Sequence, residues 1–329
     1  MENHSAIEDE IYLAEREAFS MKTSFSQQLS DCNCCPRKCG INRLQEKTAF
    51  CGVGAEIQIA HYGLHFGEEP PISGTKGSGA IFFAGCNLHC VFCQNYQISQ
   101  KFQPNSVSKI SVQELAEAML KLQSDGAHNI NFVSPSHYIF PMADAIISAK
   151  EKGLSLPIVY NSNAYDSLEA LKLIRGLIDI YLPDIKYLYD ELGNKYSKAQ
   201  NYASNVKGVI EEMRNQVGDL KTDENGIATS GILVRHLVLP NNLENSKQCL
   251  KFLAGISSDM NISLMSQYSP LFKACKYPEI NRTLTEAEYN EIVDYAISLD
   301  LENVFIQELE SQEKCLPDFD LEKPFNFGK

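Results

Sequence analysis

Between residues 80 and 307 the chain alternates short apolar runs with amphipathic stretches that open on helix-start signals. That alternation limits its possible folds more than any other feature. AIFFAG (80–85), NINFVS (129–134), PIVYNS (157–162), DIYLPDIKY (179–187), GILVRHLVLP (231–240) and ISLMSQY (262–268) read as buried strands. Ser111 and Glu114 form a capping box ahead of a helix over 112–123, with Val112, Leu115, Met119 and Leu122 on its apolar face. Pro141 opens a helix running toward Gly153. Asp166 and Glu169 form a similar pair ahead of a helix bearing Leu168, Leu171 and Ile174. Further helices are expected over 198–217 and 244–257, and Thr285 with Glu288 opens a last long one. NVFIQ (303–307) reads as a terminal strand. Six strands alternating with helices imply a parallel sheet with crossover connections. Such a sheet is either open and doubly wound or curved into a full or partial barrel. In each case ligands sit at the carboxyl ends of the strands.

The residues before this alternation differ in character. Residues 5–20 read as a short amphipathic helix, and a cysteine-rich loop runs from Asp31 to Gly54. EIQIAHYGLHF (56–66) reads as a strand pair or one bent strand, and GEEPPISGTKGSG (67–79) as a turn-rich linker. We divide the chain into an N-terminal extension, 1–78, carrying the cysteine module, and an α/β unit, 79–329, ending in the C-terminal helix. The first twenty residues are acidic and lack the pattern of a signal peptide, and no apolar stretch approaches a membrane span. A cytoplasmic, monomeric protein without membrane contact is expected. Lys and Arg number 29 against 42 Asp and Glu, a formal charge of −13. This argues against nucleic acid as a partner, because phosphate binding needs a clustered basic face.

Eleven cysteines are many for a chain expected in a reducing compartment, where close spacing indicates metal or cluster ligands rather than disulfides. The first strand runs directly into Gly85-Cys86-Asn87-Leu88-His89-Cys90-Val91-Phe92-Cys93. Its C-x3-C-x2-C spacing can bring three thiolates to one point, as an iron–sulfur cluster requires. Three ligands leave one iron open to a substrate or cofactor. Three plain buried cysteines are the bland alternative; Asn87, His89 and Gln94, on a loop at a strand end, argue against it. Upstream, Cys32, Cys35, Cys39 and Cys51 offer four thiolates, with Cys34 spare, suited to zinc or to a second cluster. Cys249, Cys275 and Cys315 are scattered and read as structural or incidental.

The C-x3-C-x2-C loop, with Phe92 before its last cysteine, resembles the radical S-adenosylmethionine superfamily. GSGAIFFAGCNLHCVFCQNYQIS (77–99) resembles homologues of the pyruvate formate-lyase activating enzyme, and the likeness runs from the Cys32 region to about Gln307. The resemblance implies a partial (β/α)6 barrel with a [4Fe–4S] cluster on Cys86, Cys90 and Cys93. It also implies S-adenosylmethionine, chelated through its amino and carboxylate groups to the open iron. One electron, from a reductant such as flavodoxin or ferredoxin, breaks the sulfonium bond, and the 5′-deoxyadenosyl radical abstracts hydrogen from substrate. The cofactor supplies the difficult chemistry and the protein positions it. The CPR-x-CG-x-N-R stretch around Cys35 and Cys39 also fits this group of homologues.

Polar groups at the other strand ends are candidates for holding the cofactor. Ser134 and Ser136 could accept from its ammonium, in place of the Gly-Gly-Glu stretch of many superfamily members, and His137 could contact cofactor or substrate. A proline-containing turn is the ordinary reading of that segment. Asn161 and Asn163 lie in a stretch resembling the Asp-Thr-Asn-Gly of glycyl-radical activases, with amides suited to ribose hydroxyls or a carboxylate; an Asn-rich turn is the alternative. Asp184 and Lys186, at i and i+2, point to the same side and resemble the activases' Asp-x-Lys; a surface ion pair is the alternative. Within strand five either Arg235 or His236 faces inward, and Arg235 corresponds by position to the family's cofactor-facing arginine. Gln267 ends strand six and could help hold adenine. His61 and His65 read as ordinary hydrogen-bonded histidines. Three functions fit: hydrogen abstraction from a protein, such as a glycyl-radical enzyme; the same chemistry on a small molecule; or a non-catalytic iron–sulfur or zinc protein.

Overall fold

A computed structural model describes residues 24–100, 102, 107–309, 316–321 and 323–325. The helix expected over 5–20, and Cys315, lie outside them. The strands are β1 (Ile57–His65), β2 (Ser78–Phe83), β3 (Ser108–Ile110), β4 (Ile130–Val133), β5 (Ile158–Ser162), β6 (Ile180–Pro183), β7 (Lys221–Thr222), β8 (Ala228–Leu237), β9 (Asn261–Met265) and β10 (Val304–Ile306). The main helices are α1 (Val112–Ser124), α2 (Ile139–Glu151), α3 (Leu168–Leu173), α4 (Asp190–Ser197), α5 (Tyr202–Val217), α6 (Leu243–Ile256) and α7 (Glu286–Ser298).

The sheet order is β10-β9-β8-β6-β5-β4-β2-β1-β3. Every pairing from β2 through β10 along that path is parallel, whereas β1 joins β2 and β3 antiparallel. Among the described residues β10 and β3 end the path without pairing to each other, so the sheet curves into a barrel that does not close. The fold is mixed α/β with a partial barrel and a cysteine-rich N-terminal region.

Strand periodicity divides the core into two sides. Ile81, Phe83, Ile130, Phe132, Ile158, Tyr160, Val234 and Ile262 face the helices in one large cluster. Val159, Ile180, Leu182 and Leu233 face inward with Ile72 from the linker. The capping boxes at Ser111–Glu114 and Thr285–Glu288 form as expected, each satisfying otherwise orphaned helix-end donors.

Two local expectations change, and one open reading is settled. Residues 57–65 make one bent strand rather than a pair, with a register shift against β2 between Ile59 and His61. The helix expected over 198–217 is α5, which starts only at Tyr202, because Lys198 and Asn201 adopt left-handed backbone, and α4 precedes it as an additional helix. The cap of α3 is Ser167, which accepts from the Ala170 N–H, and not Asp166. Asp166 is buried and accepts instead from Tyr160 Oη and Ser162 Oγ, both at 2.7 Å.

Candidate active site

At the carboxyl end of β2 the backbone turns at Gly85, whose φ of +80° suits glycine. An added Cβ there would come within 2.6 Å of the Cys51 carbonyl oxygen. The loop that follows is tied down through its backbone. His89 and Val91 N–H donate to the Ser197 and Tyr196 carbonyls (3.1 and 2.8 Å), and the Lys273 N–H donates to Val91 (2.8 Å). This fixed path turns Cys86, Cys90 and Cys93 toward one hollow of about 220 Å³ inside the barrel.

The sulfurs have polar neighbours. The Leu88 N–H lies 3.3 Å from Cys86 Sγ, and Asn163 Nδ2 lies 3.6 Å from it. Ser197 Oγ is 3.1 Å from Cys90 Sγ, and Ser99 Oγ is 3.3 Å from Cys93 Sγ. Burial first, then the neighbouring Cys90 and Cys93, push the Cys86 thiol far above its ordinary range. Burial and Cys90 push Cys93 to about 11. Three adjacent thiols, two buried and the third, Cys93, half-buried, ionise at neutral pH only when a strong positive charge is bound among them, the condition iron supplies. Among the described residues no three His, Cys, Asp or Glu side chains group tightly enough for one ion. A [4Fe–4S] cube places its ligands on separate irons, so this wider thiol set, with hydrogen-bond donors at the sulfurs, fits a cluster.

Opposite the thiols lies a charged network. Asp184 stands between two cations, with Lys186 Nζ 2.7 Å from one carboxylate oxygen and Arg235 Nε 2.8 Å from the other. Arg235 also donates to Asn161 Oδ1 (2.5 Å) and to Glu68 Oε2 (3.1 Å). The other Glu68 oxygen accepts from Asn131 (3.0 Å) and Asn161 (3.3 Å). Burial alone would raise the Asp184 carboxyl, but the Arg235 and Lys186 charges outweigh it and hold it below the usual range. Glu68 goes the other way, its burial outweighing Arg235.

Ser134, Asn161, Asn163, Asp184, Lys186, Arg235 and Gln267 all line the same hollow as the three cysteines. Ser134 has left-handed backbone, φ 58°, and its N–H donates to the Asn161 carbonyl. Asn163 also holds the cluster loop, donating to Asn87 Oδ1 at 2.8 Å. Ser136 and His137 are buried outside the lining, because the chain turns away from the hollow after Ser134. The His137 ring packs behind the cluster loop, with Nε2 2.9 Å from the Ala84 carbonyl oxygen. His236 faces the helices, its Nδ1 2.7 Å from the Ile185 carbonyl oxygen and its Nε2 2.8 Å from Ser246 Oγ.

Sequence reasoning missed Glu68, read as linker, and His65, read as an ordinary histidine, although both line the hollow. Two adjacent acids before Pro70-Pro71 were the available signal for Glu68; nothing local marked His65. Pro317 and Phe325, from the C-terminal segment, complete the lining.

In the N-terminal region, Cys32, Cys35 and Cys51 are buried or half-buried and Cys39 is exposed. Cys34, outside the expected four-thiolate set, is buried with its sulfur 3.7 Å from that of Cys32. Arg43, fully buried, lies 3.8 Å from both sulfurs. Hydrogen bonding to Cys34 lowers the Cys32 thiol to about 5, and burial raises Cys35 to about 12.

The family model described as the radical SAM superfamily matches residues 80–234. The protein MJ0674 of Methanocaldococcus jannaschii is 33% identical over 282 residues, spanning 84% of this chain and 77% of that protein. MJ0808 of the same organism is 26% identical over 181 residues, 49% of this chain and 52% of that one. The chain therefore belongs to the radical S-adenosylmethionine superfamily. Among solved structures it is similar to Streptococcus suis SuiB bound to the precursor peptide SuiA, at 13% identity and a TM-score of 0.46, covering 68% of this chain but only 46% of SuiB. A domain of pyruvate-formate lyase-activating enzyme from Bacteroides vulgatus matches at 12% identity and a TM-score of 0.35, over 52% of this chain and 92% of that domain. No helix among the described residues is long and apolar enough to cross a membrane.

Proposed function

We propose that the protein is an enzyme that cleaves S-adenosylmethionine reductively and uses the resulting 5′-deoxyadenosyl radical to take hydrogen from a protein substrate. The observation that carries the cleavage step is the convergence of the three thiols and the Asp184–Lys186–Arg235–Glu68 network on one hollow. Cys86, Cys90 and Cys93 would hold the cluster, which when bound supplies the electron that breaks the sulfonium bond. Lys186 presents an ammonium suited to the cofactor carboxylate. Asp184 keeps that ammonium oriented, and Arg235 keeps Asp184 ionised. The Asn161 amide, held by Arg235 and Glu68, keeps one Nδ2 hydrogen for a hydroxyl or carboxylate. Phe82, Leu88 and Met265 line the rest of the hollow with apolar surface, limiting water near a reactive species.

The protein substrate rests on the likeness of residues 77–99 to activase homologues, and a glycyl-radical enzyme is the specific candidate. A small polar substrate is the second reading, favoured by the charged lining and by Pro317 and Phe325 on one side. Flavodoxin or ferredoxin is the proposed electron donor and the cytoplasm the proposed location. We assign zinc or a second cluster to Cys32, Cys35, Cys39 and Cys51.

The test is anaerobic reconstitution with iron and sulfide, followed by dithionite and S-adenosylmethionine. 5′-Deoxyadenosine is expected from the wild type and none from Cys86→Ala, Cys90→Ala or Cys93→Ala. Absence of product from a cluster-loaded wild type rejects the enzyme reading. Perdeuterated lysate, split by ultrafiltration, separates the substrate classes: deuterium should enter 5′-deoxyadenosine from the macromolecular fraction. Entry from the small-molecule fraction alone selects the second reading.

A further inference from the structure

The cysteine-rich segment lies against the outer side of the cluster loop and touches it at three points. Arg37 Nε donates to the Asn87 carbonyl at 2.7 Å. The Phe50 ring stacks on His89, with 3.9 Å between centroids. The Cys51 carbonyl and Val53 close over Gly85, where an added Cβ would come within 2.6 and 2.7 Å of them. The other branch of Arg37, Nη2, donates to the Lys198 carbonyl at 2.6 Å. Lys198 follows Ser197, whose hydroxyl meets Cys90 Sγ and whose carbonyl accepts from the His89 N–H. One guanidinium thus links the two backbone segments that flank the thiols.

The guanidinium is itself held in place. Its central carbon lies 3.3 Å from the Phe50 ring centroid and 5.6 Å from that of Tyr165. Tyr165, Arg37, Phe50 and His89 therefore succeed one another in a stack that runs from β5's trailing loop to the cluster loop. The charge lies within electrostatic reach of Cys35 and Cys51 on the module side and of Cys86 on the cluster side. A fork that donates to two carbonyls at once is a geometry lysine cannot reproduce.

We propose that Arg37 is a positioning residue for the cluster, through which the N-terminal cysteine segment serves as the outer half of the cluster's binding site. It fixes the 86–93 loop and adds positive charge beside it. This inference rests on the reading that Cys86, Cys90 and Cys93 hold the cluster. The reduction potential of a cluster follows the local net charge and the hydrogen bonds around its sulfurs. Loss of the guanidinium therefore disfavours the reduced form, and loss of the fork loosens the loop.

The test compares full-length wild type, Arg37→Gln, Arg37→Lys and Phe50→Ala after anaerobic reconstitution. Iron retained through gel filtration is measured and corrected for the iron held by a Cys86→Ala/Cys90→Ala/Cys93→Ala chain. The reduced-cluster signal is followed by electron paramagnetic resonance during a redox titration. Arg37→Gln should retain less than half the corrected iron, with a more negative midpoint. Arg37→Lys should lose iron similarly but keep a midpoint nearer wild type, and Phe50→Ala should lose iron with its charge intact. Wild-type iron and an unshifted midpoint in Arg37→Gln overturn the proposal. If that variant does not fold, full iron retention by both Arg37→Lys and Phe50→Ala overturns it. A wild type that holds cluster iron but yields no 5′-deoxyadenosine rejects the catalytic reading and leaves this one standing. A wild type with no more iron than the triple variant rejects the ligand assignment itself.

Discussion

At the level of single residues, Arg235 has the most to balance. Its guanidinium sits in the barrel with a side chain 14% exposed and pairs with both Asp184 and Glu68. Removing one partner of such a set strands the others in a poorly solvated place, which costs about 3–5 kcal/mol. Arg235→Met is therefore expected to lower unfolding free energy in urea by that amount, and Arg235→Lys by less, since the charge survives without the fork. A loss under about 1 kcal/mol would mean that water already solvates the network. The three thiols, Asp184, Lys186 and Arg235 were legible because each lies on or next to a strand end. Glu68 was not, because it reaches Arg235 across a separation of 167 residues. The Ser99 and Ser197 hydroxyls at the thiols escaped notice because serine carries no local signal of what it will face.

Elements were legible wherever periodicity and capping agreed, as at α1 and α7, and less so where two side chains competed for one role. Asp166 and Ser167 both precede α3, and an acid three residues before Glu169 resembles a cap. Tertiary structure gives the cap to Ser167, because Tyr160 and Ser162 on β5 claim the Asp166 carboxylate. Burial raises that carboxyl, while those hydroxyls offset part of the effect. The two substitutions should separate in a denaturant titration. Ser167→Ala loses a cap, about 1 kcal/mol. Asp166→Ala leaves two buried hydroxyls without their acceptor and is expected to cost about 2–4 kcal/mol. Equal losses would return the cap to Asp166. The expected start of α5 at 198 falls in the turn between α4 and α5, where Lys198 and Asn201 have left-handed backbone. Only the requirement that residues 196–198 meet the cluster loop explains the turn.

Across the whole molecule, buried histidines outside the hollow pack among its elements, His137 against Ala84 and His236 against Ile185 and Ser246. Burial holds His236 at about 4 and His137 at about 3. A histidine with a depressed folded pKa binds fewer protons folded than unfolded between that value and about 6.5, so it subtracts stability as pH falls through this window. The expected slope for His236 is about 1.4 kcal/mol per pH unit between about 6.5 and 4. Raised carboxyls such as Glu68 and Asp166 act in the opposite sense, so the check is a difference. Wild type minus His236→Gln, in urea unfolding at pH 7, 6, 5 and 4, should show that slope, and parallel curves would refute it. The strand–helix alternation, the capping boxes of α1 and α7 and the cysteine spacing are readable from the chain alone, because each is written in neighbours a few residues apart. The open barrel, the entry of Glu68 and His65 into the hollow, and the contact of the cysteine-rich segment with the cluster loop through Arg37 came from long-range contacts. Those outcomes depend on which distant surfaces meet once the sheet has curved, and no local spacing encodes that.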